Sequence, residues 1–287
     1  MDEILLSIAI PTYNRCNFLM ELVPEIIEQC IELGANHSGV EIIISDNASS
    51  DGTSDYILCN FSNSKLLKYY CNSKNVGGDA NFIKSVERAS GRYVWLFGDD
   101  ELIEENGIAN VLNILKKYSP SLVILNNPID DKMNSRIYEN YSKLLSAMSI
   151  KNPSFPMNHT LITKNIFLKS LFDINIANDS LSTNYGHMYA LSENLKTGGN
   201  VYLLNKSIIV VRDKGGEFSE IPQHLLQKQA KYLRYLGKSY KNINIIIYSI
   251  FYVPLNIIKL VLRIPYKLSQ GELEKAEIIK KIKDEFC

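Results

Sequence analysis

Three acids in a row close the segment GRYVWLFGDDE (91–101): Asp99, Asp100 and Glu101, set after an apolar run and a glycine. Like charges side by side repel, so the arrangement is costly unless a cation or a helix N-terminus answers it. Carboxylates at a strand end, reached past a glycine, suit a hard divalent ion, which takes carboxylate oxygens and keeps positions open for phosphate. Capping of the next helix is the plain alternative, and Glu101 is assigned to that helix's first turn. Two more acids, Asp46 and Asp51 in EIIISDNASSDGT (41–53), follow a second apolar run. Four converging acids need positive compensation, which favours a metal–phosphate site over capping alone.

These side chains need strands to bring them together. LLSIAI (5–10) reads as a short buried parallel strand, and GVEIIISD (39–46), KLLKYYCN (65–72), RYVWLFG (92–98) and SLVILNN (121–127) as the strands that follow it. Between them, apolar pairs at 18/19, 22/23, 26/27 and 30/31 mark a helix that Pro24 should kink or delay. NVGGDANFIKSVERASG (75–91) reads as a glycine-rich loop entering a helix, and GIANVLNILKKY (107–118) as another helix. Such alternation predicts a mostly parallel sheet flanked by helices, with ligands at the strands' C-terminal ends. Three of those ends carry PTYNR, SDNASSDGT and GDDE. Residues 128–200 are less regular, with strand-turn-helix character at 160–172 and a loop and helix at 182–199. Strands close the region at 201–213, and DKGGEFSE (213–220) is expected to be mobile.

SIAIPTYNR, EIIISDNASSDGT, NVGGDANF and ASGRYVWLFGDDE, in this order and spacing, resemble the family 2 glycosyltransferases, most of all bacterial O-antigen sugar transferases of the abequosyl- or rhamnosyltransferase kind. The likeness is strong over roughly residues 4–125 and looser to 213. It implies the GT-A nucleotide-diphospho-sugar fold over residues 1–220, split into a donor half (1–127) and an acceptor half (128–220), with a helical segment at 221–287. It implies a nucleotide-diphosphate sugar donor, Mn²⁺ or Mg²⁺, and inverting transfer to a polyprenyl-linked glycan in surface polysaccharide assembly. Pro11, Thr12, Tyr13 and Arg15 would line the nucleotide, Asp46 would meet the base edge, Asp99 the ribose, and Asp100 the metal. Asn75, Gly77 and Gly78 would lie beside the donor, or form an ordinary strand-to-helix turn. Asn47 stands where many relatives carry a second Asp, so Asp51 is assigned to capping the helix begun by GTSDY.

Inverting transfer needs a carboxylate to take the acceptor's proton. The family places that acid in an ED-like motif before a helix, whereas STNYGHMYALSENL (182–195) has none at the aligned position. Asp179, just upstream, is the candidate base, ahead of Asp173 and Glu193. The missing acid also leaves room for a non-catalytic binding protein on the same scaffold. His187 is either a packed side chain or an acceptor-side contact, base or metal ligand. Arg212 is either a diphosphate clamp, for which a planar guanidinium is suited, or a surface arginine.

The chain of 287 residues has a formal net charge of zero, which argues against a nucleic-acid binder. The average hides an asymmetry: residues 221–271 contain eight Lys or Arg and no acid, whereas residues 1–220 hold 19 bases against 26 acids. INIIIYSIFYVPLNIIKLVLRI (243–264) is apolar but interrupted by Pro254 and Lys259. It suggests helices lying in an anionic membrane interface rather than a span, the alternative being a helical pair packed on the body. Five cysteines without metal-like spacing read as reduced, mostly buried thiols, and the acidic start reads as a first strand. The expected location is the cytoplasm, peripheral on the inner face of the cell membrane.

Overall fold

A computed structural model describes residues 3–34, 39–126, 135–151, 165–183, 185–212, 223–242 and 245. The expectations for 213–220, for Cys287 and for nearly all of 243–264 lie outside these residues. Strands β1 (Leu6–Thr12) and β2 (Val40–Asp46) are buried along their whole length, as parallel strands covered on both faces must be. With β3 (Leu67–Cys71) and β4 (Tyr93–Leu96) they form a parallel set in the order β3-β2-β1-β4. The sheet continues through β8 (Asn165–Leu168), β6 (Leu122–Asn126), β9 (Val201–Asn205) and β7 (Arg136–Tyr138). β8 runs antiparallel to both β4 and β6, and β7 antiparallel to β9.

Successive residues along each strand face opposite layers. Ile8, Ile10, Ile42, Ile44, Trp95 and Phe97 pack with α1 (Cys16–Glu32) and α4 (Gly107–Tyr118). Ala9, Ile43, Val94, Leu96, Leu122 and Ile124 face the other layer. That layer holds α3 (Gly78–Arg88), α5 (Tyr141–Lys151), α6 (Ile174–Asp179), α7 (Gly186–Asn194) and α8 (Gln223–Ser239). A short helix, α2 (Thr53–Phe61), joins β2 to β3.

Pro24 does not delay α1, which runs unbroken from Cys16 to Glu32. Proline removes the bond to the carbonyl four residues back. Here Pro24 and Met20 both lie on the exposed side, where water can take that carbonyl's bond. Glu101 is not in a helix either. It opens β5 (Glu101–Ile103), which pairs antiparallel with β10 (Ile209–Val211) in a separate two-stranded ribbon, and α4 begins only at Gly107. The cysteines divide evenly among the described residues: Cys16 and Cys30 are buried, Cys59 and Cys71 exposed, and all four are free thiols.

α8 enters the second core through Tyr232, Leu233 and Leu236. The Tyr232 hydroxyl lies 2.7 Å from the Ser192 hydroxyl of α7, and Tyr240 donates to the Ser192 carbonyl at 2.6 Å. The Tyr232 ring stacks on Tyr185 and meets Tyr189 edge-on. Buried tyrosines contribute apolar area and need a partner for the hydroxyl, and the α7–α8 seam supplies both.

Candidate active site

Because β1, β2 and β4 are parallel, their C-terminal ends share one edge of the sheet, and register puts Thr12 beside Asp46. The segments PTYNR and SDNASSDGT are laced together beyond that edge. Asn14, in the left-handed region at φ 51°, donates from its backbone N–H to the Ser49 hydroxyl and accepts from Ser50 N–H, both at 2.8 Å. Asp51 stands one position before Gly52, the N-cap residue of α2, and accepts from the Thr53 N–H and hydroxyl at the start of that helix and from Cys16 N–H at the start of α1. One carboxylate therefore satisfies orphan donors of two helices at once.

Arg15 lies between the paired acids. Its Nη1 is 2.7 Å from Asp99 Oδ1 and 3.0 Å from Asp100 Oδ2. The other Asp99 oxygen accepts from the Thr12 hydroxyl at 2.8 Å. Burial pushes the Asp99 carboxyl above its ordinary value, with Arg15 and Thr12 holding part of that shift back. Burial works against the Arg15 charge, but Asp99 and Asp100 outweigh it and keep the guanidinium protonated. Thr12 and Pro11 are buried, so Thr12 serves to hold Asp99, while Tyr13 next to them is 44% exposed and offers an aromatic face.

Asp46 is fully buried. Ser49 N–H and hydroxyl bond one of its oxygens and the Tyr69 hydroxyl the other, at 2.6–2.9 Å. Asn47 holds the glycine turn: its amide donates to Asn75 Oδ1 at 2.8 Å and to the Gly77 carbonyl at 3.3 Å, and its carbonyl accepts from Val76 N–H and Asn72. Asn75 Oδ1 also accepts from Gly77 N–H. Gly77 has φ +88° and ψ 157°, a backbone conformation open essentially to glycine alone, and Gly78 then begins α3. Behind the turn, Asn81 and Arg88 of α3 bond Ser45 and Asn72. The sequence marks Asn47 only as a departure and gives no sign of Asn72, Asn81 or Arg88, since isolated polar residues in a loop (Asn72) or on a helix (Asn81 and Arg88) form no pattern that links them.

Other expected residues are more dispersed. Arg212 is tied to α1, pairing with Glu21 at 3.0 Å and donating to the Phe18 carbonyl at 3.1 Å. Its guanidinium and that of Arg15 both lie against the Phe18 ring, at 5.1 and 5.8 Å from the centroid. It is thus near the acids and held as a strut. His187 is buried in the first turn of α7, edge-on to Phe82 of α3 at 6.3 Å. Gly186 before it lets α7 approach α6: a Cβ there would stand 2.7 Å from the Ala177 carbonyl of α6. Asp179 is exposed at the end of α6. The weaker base candidates have other work. Asp173 caps α6 by accepting from Asn175 and Ile176 N–H. Glu193 pairs with Lys196 and accepts from Tyr235, at the end of α7 away from His187.

Among the described residues, no three His, Cys, Asp or Glu side chains converge as a metal cage. The donor set is instead one or two carboxylates at an open edge, the pattern that Mg²⁺-type ions complete with substrate phosphate oxygens. Asp99 and Asp100, gathered on one cationic nitrogen, fit such an ion.

The profile described as "Glycosyl transferase family 2" matches residues 7–176. The abequosyltransferase RfbV of Salmonella typhimurium is 30% identical over 241 residues, 75% of this chain and 69% of that protein. A UDP-Glc:alpha-D-GlcNAc-diphosphoundecaprenol beta-1,3-glucosyltransferase of Escherichia coli, WfgD, is 25% identical over 56% of this chain and 63% of its own. Among solved structures, the mannosyltransferase PcManGT of Pyrobaculum calidifontis, in complex with GDP-Man and Mn²⁺, superposes with a TM-score of 0.63. That match has 16% identity and covers 98% of this chain and 80% of the other. TarS 1-349 of S. aureus, in complex with UDP-GlcNAc, gives a TM-score of 0.59 at 15% identity, over 83% of this chain and 67% of the other. With a profile spanning more than half its residues and this fold beneath it, the chain belongs to glycosyl transferase family 2 and is a glycosyltransferase of GT-A architecture.

Proposed function

We propose that the protein is a divalent-metal-dependent, inverting glycosyltransferase acting from a nucleotide-diphosphate sugar donor. Its acceptor, on this reading, is a polyprenyl-linked oligosaccharide in bacterial surface polysaccharide or O-antigen assembly, met at the cytoplasmic face of the membrane. The observation that carries it is the Asp99–Asp100 pair at the edge where PTYNR and SDNASSDGT also converge. Exposed Tyr13 takes the base on its ring, Asp46 shapes or meets the base edge, and Asp99 holds the ribose. Asn75, Gly77 and Gly78 border the sugar phosphates, with Arg15 and Arg212 as neighbouring cations. Asp100 would hold the Mn²⁺ or Mg²⁺, which when bound neutralises charge growing on the departing diphosphate. The acceptor oxygen forms a bond to the anomeric carbon as the bond from that carbon to the diphosphate oxygen breaks. Asp179 takes the acceptor hydroxyl's proton, and His187 lines the acceptor side.

The support beyond geometry is in the relatives: the name of one specifies a diphosphoundecaprenol-linked acceptor, and a structural neighbour is solved with Mn²⁺. The test is thermal stabilisation across UDP-, dTDP-, GDP- and CDP-sugars with each metal, followed by turnover of whichever donor stabilises. Asp100→Ala should stay folded and lose transfer by at least about a hundredfold. Metal-dependent turnover retained in that variant would sink the assignment, and donor binding without any nucleotide release in the wild type would argue for a binding protein instead.

A further inference from the structure

Between Lys231 and Lys241 the exposed side of α8 and its end is a row of cations: Lys231, Arg234, Lys238 and Lys241 are exposed, while Ala230, Leu233, Leu236 and Gly237 face the body. Spacings of three and four residues place Lys231, Arg234 and Lys238 on one helical face, and Lys241 follows two residues beyond the end of α8. None of them is in an ion pair among the described residues. This face is rigidly presented, because Tyr232 and Tyr240 bond α8 to Ser192 of α7. The row ends at a cleft of about 450 Å³ whose lining includes Lys241, Lys196, Thr197 and Ser239, a polar recess able to take a phosphate headgroup.

We infer that this face of α8 is a docking surface for an anionic lipid bilayer. Two features select a bilayer over other polyanions. The sequence directly after the row, 243–264, is apolar enough to enter an interface, which no nucleic acid would reward. The chain also keeps acids out of residues 221–271 altogether, so nothing on this segment repels an anionic plane. The seam to α7 gives the surface a consequence for the site, since α7 carries His187 in its first turn. A bilayer bound on α8 is then a short helix away from the acceptor side. The inference deepens the reading of a lipid-linked acceptor, but binding is measured without donor or acceptor, so either can fail alone.

The experiment is flotation of the full chain with phosphatidylcholine vesicles, with and without phosphatidylglycerol. The wild type should float with the anionic vesicles and lose binding as salt is raised. Each Lys or Arg near an anionic surface adds roughly fivefold to partitioning, so Lys231→Gln, Arg234→Gln, Lys238→Gln and Lys241→Asn together should weaken it on the order of a hundredfold after screening. Asparagine is chosen at 241 because that residue has φ 52°. Lys116→Gln with Lys117→Gln on α4 removes exposed cations elsewhere and should change nothing. An unaltered thermal midpoint in the four-site variant shows that it has folded. Equal flotation of the four-site variant and the wild type would overturn the inference, as would binding indifferent to phosphatidylglycerol. Tighter binding of single-stranded polynucleotide than of anionic vesicles would overturn it too, giving the face to nucleic acid.

Discussion

Arg15→Gln separates a counter-ion from a fixed structural brace. In the resting site a single Arg15 nitrogen neutralises two carboxylates, at 2.7 and 3.0 Å. Exposed ion pairs contribute about 0–1 kcal/mol, while leaving one partner of a buried pair alone costs about 3–5 kcal/mol. Here the acids are 8% and 21% exposed but Arg15 is 42% exposed, so solvent screens part of the interaction. An intermediate cost of about 2 kcal/mol is expected, or roughly 4–8 °C in thermal midpoint for a domain of this size. If the acids are also the metal site, the same 2 kcal/mol returns when Mn²⁺ binds the uncovered pair. The variant should then bind Mn²⁺ about thirtyfold more tightly than the wild type. Titration calorimetry with Mn²⁺ alone, beside melts with and without the ion, measures both sides. A variant that melts lower, binds Mn²⁺ no better and recovers nothing on adding it would refute the reasoning and leave Arg15 as a brace.

Two further outcomes concern the polar frame. Asn47→Asp puts a carboxylate against Asn75 Oδ1 and the Gly77 carbonyl, where the native amide donates to both; it should cost about 1–3 kcal/mol in urea unfolding and raise the KM for the donor more than it lowers kcat. Glu41, buried on β2, is pushed up by burial, but bonds from Lys68, Ser7 and Ser90 together hold it below the ordinary carboxylate range. A depressed acid contributes stability that is full above its unfolded value and is lost as pH falls through the folded one. The thermal midpoint should therefore fall on acidification below about pH 4, and Glu41→Gln, weaker by about 2 kcal/mol at neutral pH, should show a flatter fall there.

Strands β1, β2, β4 and β6 were legible because continuous apolar runs ending in polar residues have few other readings in such a sheet, whereas β3, an edge strand with only Leu67 buried, was legible from its place in the strand–helix alternation. The same logic brought Asp46, Asp99 and Asp100 to one edge without any three-dimensional knowledge. β5 was hidden because two apolar residues after three acids show no alternation, and its partner Val210 is more than a hundred positions away. Arg15 is one letter in a loop motif, and only folding reveals that it bridges both acids. The run of α1 through Pro24 depends on which side of the helix meets water, a tertiary fact that local propensity cannot supply. Arg212, expected as a diphosphate clamp or a surface arginine, commits its Nη groups to Glu21 and Phe18 of α1, while its buried Nε has no hydrogen-bond partner among the described residues.

The position of β8 bears on how the chain can be made. It lies between β4 and β6, antiparallel to both, so residues 165–168 are the hydrogen-bonded bridge from the first strands to the rest of the sheet. A nascent chain that has emerged only as far as Asn126 exposes one edge of β4, and β6 has neither β8 nor β9 to pair with. Closure waits for about forty more residues to bring β8 out, and for Asn205 to complete β9. Until then an apolar strand edge is open to other chains, the condition that favours aggregation. The motif-bearing half that looks self-contained in the sequence is thus an obligate fragment, and its sheet is finished by residues that carry no motif at all.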